Sequence, residues 1–163
     1  MADTKEIIAA GQVTGVIHCL TIPVHEETIL LPNASVAEVI AYKEPSPIDD
    51  APEWFLGYIE WREKRVPIIS FEAISGKELV AAKKNSRIAV MNTINGNAQI
   101  PYVGVLSQGI PSLVIIQESG LDDKESVDES RQTVGAYVEV GGVAALVPNI
   151  DEIEQRLIKL NLL

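Results

Sequence analysis

The sequence is poor in the residue types that most metal and thiol sites require. It contains one cysteine, Cys19, and two histidines, His18 and His25. A single thiol cannot form an intramolecular disulfide, which favours a reducing, cytoplasmic compartment. His18 and Cys19 are neighbours in a predicted strand and therefore point to opposite faces of it, away from a shared metal ion. We predict no metal site and no cofactor.

Basic side chains are scarce relative to acidic ones. The 163 residues include 13 Lys and Arg but 23 Asp and Glu, which gives a net charge of −10. Nucleic-acid binding requires a basic surface that neutralises phosphates, and docking on anionic lipid has the same requirement. The composition therefore argues against both kinds of partner.

Long hydrophobic runs are absent too. No apolar run approaches the roughly 20 residues that a membrane-spanning helix needs, so we expect no direct membrane insertion. Residues 1–15 lack a basic region followed by a continuous apolar core, and we expect no signal peptide there. The hydrophobic content of 47% is nevertheless enough to build a core. The length predicts one domain, or two small subdomains that share a core.

The motifs of common catalytic sites are missing as well. No Gly-x-Ser-x-Gly is present, and Gly141 and Gly142 lie in a predicted hairpin rather than in a phosphate-binding loop before a helix. Carboxylates are plentiful, and the sequence does not exclude a pair brought together by the fold. We predict no catalytic residue and a protein that is not an enzyme.

What the chain does contain is a succession of short β-type segments separated by turns. An amphipathic helix is predicted to close the chain, capped by Asn149 or Asp151. The acidic segment 119–133 is predicted to be a connector. Periodicity thus predicts an all-β fold with a C-terminal helix, whose strands cover residues 13–24, 28–31, 58–61, 66–69, 88–91, 100–106, 112–117, 134–140 and 143–148. Residues 32–40 are predicted to be a short turn or helix that leads into a strand.

The clearest of these signals is the segment 52–71, with the sequence PEWFLGYIEWREKRVPIISF. It predicts a β-hairpin with a break at Gly57 and a charged turn over residues 62–65. Strand alternation places Ile59 and Trp61 on one face, and Tyr58 on the other. We expect Ile59 to pack in the core and Trp61 to be an exposed or half-exposed anchor.

The same segment resembles the signature of the CheW-like adapter domain, a family that couples chemoreceptors to a histidine kinase. The resemblance rests on Gly57, Arg62 and Val66-Pro67-Ile68-Ile69, together with a Val-x-Glu element further upstream. Leu31-Pro32-Asn33-Ala34 and Trp61-Arg62 are similar to the pilus-associated (ChpC-like) members. Three positions depart from the family pattern: Glu63 replaces a turn glycine, Ser70-Phe71 replaces Asp-Leu, and residues 106–109 replace Val-Asp-x-Val.

The resemblance implies a fold of two small SH3-like five-stranded barrels with short helices and a C-terminal helix. One CheW-like domain over 13–160 would follow an N-terminal segment 1–12, with subdomains at about 13–80 and 87–148 and the helix at about 151–162. The implied function is non-catalytic coupling of a chemoreceptor's cytoplasmic tip to the regulatory domain of a histidine kinase, in a type IV pilus or twitching-motility pathway. The implied partner-binding residues are Val36, Glu38, Val39, Gly57, Trp61, Arg62 and Val66.

The charged residues Glu38 and Arg62 have two possible roles. They form either an exposed ion pair of little energetic consequence or a docking element.

Two other functions of the whole chain stay open at this point. The chain as a whole could be a small-molecule-binding β-barrel, which requires convergent buried polar groups in a groove. It could also be an accessory structural partner that has lost signalling contacts, as the departures at Glu63 and Ser70 suggest.

Overall fold

The computed structural model describes residues 15–117, 121–125, 131–140 and 142–160. Predictions for residues 1–14, 118–120, 126–130, Gly141 and 161–163 lie outside this part of the chain. A 3-10 helix covers Asn33–Ser35, and two α-helices cover Phe71–Ile74 (α1) and Ile150–Leu160 (α2). The strands are β1 Val16–Val24, β2 Glu27–Pro32, β3 Val36–Ala41, β4 Phe55–Trp61, β5 Lys64–Ile69, β6 Arg87–Asn92, β7 Tyr102–Ser107, β8 Ser112–Gln117, β9 Leu121–Glu125, β10 Val134–Val140 and β11 Val143–Pro148.

The strands form two sheets. One has six strands in the order β8-β1-β2-β11-β10-β9, and the other has five in the order β3-β6-β7-β5-β4. Most neighbours are antiparallel, while β2 with β11 and β5 with β7 are parallel. The all-β class, the two SH3-like barrels and the C-terminal helix are confirmed.

Short connections at the sheet ends curl each sheet toward a barrel. In the six-stranded sheet, β8 and β9 lie at opposite ends of the strand order but are separated by only three residues, 118–120. In the five-stranded sheet, Ser46 follows edge strand β3 in the chain and forms a bridge with Tyr58 on the opposite edge strand, β4. Because three residues span only about 10–15 Å, the link between β8 and β9 brings these two outer strands close together. The bridge between Ser46 and Tyr58 does the same for the other sheet.

The two sheets do not follow the predicted division of the chain into sequential halves. Strands β1 and β2 join β8 to β11, whereas β3 to β7 form the other sheet. The boundaries near residues 80 and 87 therefore do not describe sheet membership. The reason is that β1 pairs with β8 and β3 pairs with β6, and these long-range pairings leave no signature in local periodicity.

The core has three parts. The largest cluster takes apolar side chains from both sheets, from α1 and from α2, and includes Ile22, Ile29, Phe71, Val105 and Ile153. A second cluster belongs to the five-stranded sheet alone, and a third to the six-stranded sheet alone. The shared cluster packs the two barrels and the C-terminal helix into one unit.

Two predictions of local secondary structure were wrong. Gly57 was expected to break the chain but lies inside β4, where a register irregularity between Phe55 and Gly57 keeps the strand paired with β5. Part of the predicted acidic connector, Leu121–Glu125, is strand β9, paired with β10. For the helix cap left open between two residues, Asn149 is the one whose side-chain oxygen accepts from the Glu152 N–H, at 3.0 Å.

Among the described residues, no helix is both long enough and apolar enough to cross a membrane.

Candidate functional site

The candidate site lies where the five-stranded sheet closes on itself. Glu38 on β3 and Trp61 at the end of β4 belong to the two edge strands, yet their side chains meet. The Trp61 indole Nε1–H donates to Glu38 Oε1 at 2.8 Å, and Arg62 Nη2 donates to the same oxygen at 3.3 Å. We call Glu38, Trp61 and Arg62 the β3–β4 seam. The predicted Glu38–Arg62 pair is therefore present.

A tight turn presents Arg62 at the surface. Trp61 pairs with Lys64, so Arg62 and Glu63 form a two-residue hairpin loop, and both have positive φ, 49° and 63°. This geometry matches the right-handed twist of the flanking strands. The Arg62 guanidinium carbon lies 4.6 Å from the centre of the Trp61 ring, a cation–π contact. The indole and the Glu38 carboxylate together hold the guanidinium on the surface.

Trp61 itself is buried, and the expectation of an exposed anchor is wrong. Only 8% of the residue is accessible, because the β4 pleat points it into the barrel. There it packs edge-on against Tyr102, with ring centroids 4.9 Å apart. The predicted face alternation is confirmed, since Ile59 and Trp61 share one core cluster and Tyr58 lies in another.

Gly57 and Val66 are buried as well. A side chain at Gly57 would collide with the backbone carbonyl of Ser46, and its φ of 131° also favours glycine. The close approach allows Ser46 and Tyr58 to exchange two backbone hydrogen bonds, at 2.8 and 3.0 Å. Val66 is almost fully enclosed in the barrel core. Both residues support the site from inside and do not reach its surface.

The exposed part of the predicted set lies on β3 and the hairpin loop. Glu38, Val39 and Arg62 are exposed, and Val36 is half-buried. In the pairing of β3 with β6, a register shift between Val36 and Glu38 marks an irregularity in the strand. The surface that a partner could touch is thus Glu38, Val39 and Arg62, with Val36 beside it.

Two departures from the family pattern acquire a structural explanation. Glu63 occupies a left-handed backbone position, which explains why a glycine suits this turn. Ser70 is fully buried, and its Oγ caps α1 by accepting from the Ala73 N–H at 3.2 Å. Asp and Ser are both good N-cap residues, so the cap survives the replacement. Neither departure removes a side chain from the exposed surface around Arg62.

Sequence reasoning missed the most densely bonded cation among the described residues, Arg131. Its two terminal nitrogens donate to the two carboxylate oxygens of Glu27, both at 2.9 Å. The same guanidinium donates to the Tyr137 hydroxyl at 2.9 Å, and to the carbonyl and hydroxyl of Ser75 at 3.1 and 2.9 Å. Since Ser75 follows α1 and Glu27 lies on β2, Arg131 ties the two barrels together.

This cluster changes the ionisation of its members. The hydrogen bond from Arg131 lowers the pKa of Glu27 in spite of its burial, and Lys77, 3.7 Å away, acts in the same direction. The pKa of Arg131 is raised by the same hydrogen bond. No sequence signal could have revealed the pair, because 104 residues separate its members and Arg131 follows an acidic stretch.

The small-molecule alternative predicts buried polar groups that converge on a groove. Two open depressions are candidates for such a groove, with volumes of about 340 and 210 Å³, and Glu26 lines both of them. The buried carboxylate in the larger one, Glu72, already accepts from the His25 N–H and the Ser70 hydroxyl. In the smaller one, Glu27 is occupied by Arg131. The carboxylates of Glu72 and Glu27 are therefore engaged in holding the fold.

Among the described residues, no group of three or more His, Cys, Asp and Glu is arranged to hold a metal ion.

Comparison with known proteins bears on the whole domain. The family model described as the CheW-like domain matches residues 18–157. No curated protein matches the chain. Among solved structures, the chain is similar to the scaffolding protein TtCheW from Thermoanaerobacter tengcongensis, with a TM-score of 0.70 and 17% identity over 87% of this chain and 89% of that one. At this identity, the likeness shows a shared fold.

Proposed function

Because the chain belongs to the CheW-like domain family, we propose that it is a non-catalytic adapter that couples a chemoreceptor to a sensor histidine kinase. The observation that carries the proposal is the family match over residues 18–157, which includes every residue of the seam. The similar fold of a protein described as a scaffolding protein supports it. The adapter would act in the cytoplasm, where both partners present their signalling regions.

The mechanism that we propose is docking of two partners on one rigid body. One surface binds the regulatory domain of the kinase and another binds the cytoplasmic tip of the receptor. The shared core supports rigid-body action, since it joins both sheets and both helices. Arg131 adds a polar link between the same parts, with five hydrogen bonds from one guanidinium. A rigid adapter loses little entropy when a second partner binds.

Within that mechanism, the exposed residues Glu38, Val39 and Arg62 would form one docking element. Arg62 offers a planar set of donors, and Glu38 and Trp61 hold it in position before any partner arrives. An exposed ion pair of this kind contributes only about 0–1 kcal/mol to stability, so its geometry serves the surface more than the fold. Val39 supplies an adjacent apolar contact. Val36, Gly57, Trp61 and Val66 would act by supporting this surface.

The signalling pathway is the most specific part of the proposal. The Leu31-Pro32-Asn33-Ala34 and Trp61-Arg62 sequences are similar to pilus-associated adapters. On that basis, we place the protein in a type IV pilus or twitching-motility pathway. Deletion of its gene should then impair twitching and leave flagellar swimming intact, whereas the opposite phenotype would exclude this pathway.

The adapter function is tested by measuring the binding of the purified protein to the kinase regulatory domain encoded in the same genome. Arg62→Glu reverses the exposed charge and places a carboxylate beside Glu38, so it should weaken binding by at least about tenfold. Lys84→Glu makes the same charge change at an exposed position in the linker between α1 and β6, and serves as the matched control. Circular dichroism of both variants verifies the fold.

The outcomes separate the alternatives. Binding that Arg62→Glu weakens and Lys84→Glu does not would establish the adapter function and place one docking element at the seam. Equal affinities of the two variants would remove Arg62 from the interface. If the folded wild-type protein binds neither the kinase domain nor the receptor tip, the adapter function is wrong and the accessory structural role gains support.

A further inference from the structure

The loop between β6 and β7 links the two barrels through its contacts with α2. The loop covers residues 93–101 of the five-stranded sheet, whereas α2 follows β11 of the six-stranded sheet. The Ile94 N–H donates to Glu154 Oε1 at 2.9 Å, and Asn95 Nδ2 donates to Asp151 Oδ1 at 2.6 Å. Because Asp151 and Glu154 are three residues apart, they lie on one face of the helix. We call these two hydrogen bonds the loop–helix contact.

The two hydrogen bonds of this contact differ in their access to water. Glu154 is only 1% exposed, so its bond to the Ile94 N–H is largely shielded. Asn95 and Asp151 are both exposed. The Asn95 amide therefore holds the loop to the helix at a place that solvent reaches.

Asn95 is followed by Gly96, and the pair Asn-Gly occurs once in the sequence. Asparagine is a labile residue because the backbone nitrogen that follows it can attack its side-chain amide carbon. Glycine leaves that nitrogen unobstructed, and the φ of 68° at Gly96 favours glycine. Over the described residues, the Gly96 N–H donates to no hydrogen-bond acceptor. The fold thus places a reactive pair in the loop and leaves its nucleophilic nitrogen unengaged.

Asn85 shows how the same fold protects another exposed asparagine. The next residue is Ser86, whose N–H donates to the Lys83 carbonyl at 3.0 Å. Attack by the Ser86 nitrogen would have to break this bond and pass the serine side chain. The other five asparagines precede Ala, Thr, Ile or Leu, whose side chains hinder attack further. Asn95 is therefore the position where this reaction is most favoured.

We infer that Asn95 is a site of spontaneous deamidation and that this modification opens the loop–helix contact. The Gly96 nitrogen loses its proton and forms a bond to Cγ of Asn95. The bond from Cγ to Nδ2 breaks, and Nδ2 takes up a proton and leaves as ammonia. Water then adds to either carbonyl carbon of the resulting succinimide ring, which gives aspartate or isoaspartate at position 95. Water is the only co-reactant, and nothing is oxidised or reduced.

The product has the wrong polarity for its partner. A carboxylate at position 95 cannot donate to Asp151 Oδ1, and it brings a second negative charge to that oxygen. Glu154, which accepts from the neighbouring Ile94 N–H, adds a third carboxylate on the same side of the loop. Carboxylates at such distances repel each other. The loop should therefore separate from α2, and the two barrels lose one of their links.

Mass spectrometry of the full chain tests the modification. The folded protein is kept for a long period in warm, mildly alkaline buffer and then digested. Fragmentation should locate a gain of one mass unit at Asn95, in aspartate and isoaspartate forms, and none at Asn92, Asn97 or Asn85. Asn95→Gln is the matched control, because it keeps an amide but would have to close a larger and less favoured ring. It should show no gain at this position.

Hydrogen exchange at the Ile94 amide tests the consequence. Asn95→Asp should raise its exchange rate by about tenfold, as expected for the loss of about one hydrogen bond. Asn95→Ala removes the donor without adding a charge and should have a smaller effect. The double variant Asn95→Asp, Asp151→Asn exchanges donor and acceptor and should restore protection. Both positions are exposed, so circular dichroism should show an unchanged fold.

Three results would overturn the inference. The first is a folded protein whose Asn95 stays intact under conditions in which the urea-unfolded chain is modified there, which would show that the fold protects it. The second is an Asn95→Asp protein with unchanged exchange at Ile94. The third is a double variant no better protected than Asn95→Asp, which would exclude repulsion from Asp151 as the cause. These results do not depend on kinase or receptor binding, so the adapter function is tested separately.

Discussion

Two Glu–Arg pairs among the described residues, Glu38–Arg62 and Glu27–Arg131, differ in nearly every physical respect. The first is joined by one contact of 3.3 Å, with side chains 43% and 64% exposed. The second is bidentate at 2.9 Å, with side chains 15% and 14% exposed. Water screens the first pair, whereas the second is largely shielded and carries further hydrogen bonds to Ser75 and Tyr137.

The difference separates a surface role from a structural one. The Glu38–Arg62 pair can be altered with little effect on folding, so its value lies in what it presents to a partner. The Glu27–Arg131 pair connects β2, the residue after α1, and β10. Loss of either member takes a charge-assisted, bidentate contact from a largely shielded charged group. The same two residue types thus serve recognition at one place and stability at the other.

The largest expected effect is on the shielded pair. Arg131→Ala leaves the Glu27 carboxylate with only Lys77 nearby and removes the donors to Ser75 and Tyr137, so it should lower the free energy of unfolding by about 3 kcal/mol. Arg62→Ala should change it by less than about 1 kcal/mol. Urea unfolding of both variants measures the difference. Equal losses of unfolding free energy in the two variants would show that the two pairs contribute equally to stability.

A second prediction concerns the pH dependence of stability. The pKa of Glu27 is lowered in the folded protein, chiefly by the hydrogen bond from Arg131, so the unfolded chain binds the proton more tightly. The stabilisation is therefore complete above the ordinary glutamate pKa of about 4.3 and is lost as the pH falls through the lowered folded pKa. Glu27→Gln should flatten the acid side of the stability profile.

The control for this prediction is the double variant. In an Arg131→Ala background, Glu27→Gln should alter the acid side of the profile much less, because the hydrogen bond that lowers the Glu27 pKa is already gone. Equal changes in the two backgrounds would show that the acid sensitivity originates elsewhere.

The smallest expected effect concerns the loop that presents the exposed pair. Glu63 has a φ of 63°, a conformation that costs a side-chain-bearing residue more than it costs glycine. Glu63→Gly should raise the free energy of unfolding by about 0.5–1 kcal/mol and leave the position of Arg62 unchanged. Thermal unfolding measures the gain. A destabilised Glu63→Gly protein would mean that the Glu63 side chain makes a compensating contact.

Local features were the ones that the sequence predicted well. The hairpin of β4 and β5 was predicted because its signals, a charged turn between alternating strands, lie within about a dozen residues. The C-terminal helix was predicted from its apolar stripe and cap. The exposure of Trp61 was predicted wrongly, since its burial depends on Tyr102 and Glu38, which come from other strands.

The candidate site shows the same contrast between local features, which the sequence predicts, and burial, which depends on distant strands. Pattern matching to a known family selected Glu38 and Arg62, and the structure brings them into contact. The same matching also selected Gly57 and Val66, which the structure buries. A motif records which residues matter, but it does not distinguish a residue that touches a partner from one that holds the surface in place.

The sequence by itself determined the all-β class, the main hairpin, the closing helix and the family. These depend on contacts between near neighbours or on motifs confined to a short segment. The tertiary structure decided which strands share a sheet, which aromatic side chains are buried, and that Arg131 links the barrels through Glu27. These features depend on pairings between distant parts of the chain, whose energies arise only when the barrels close.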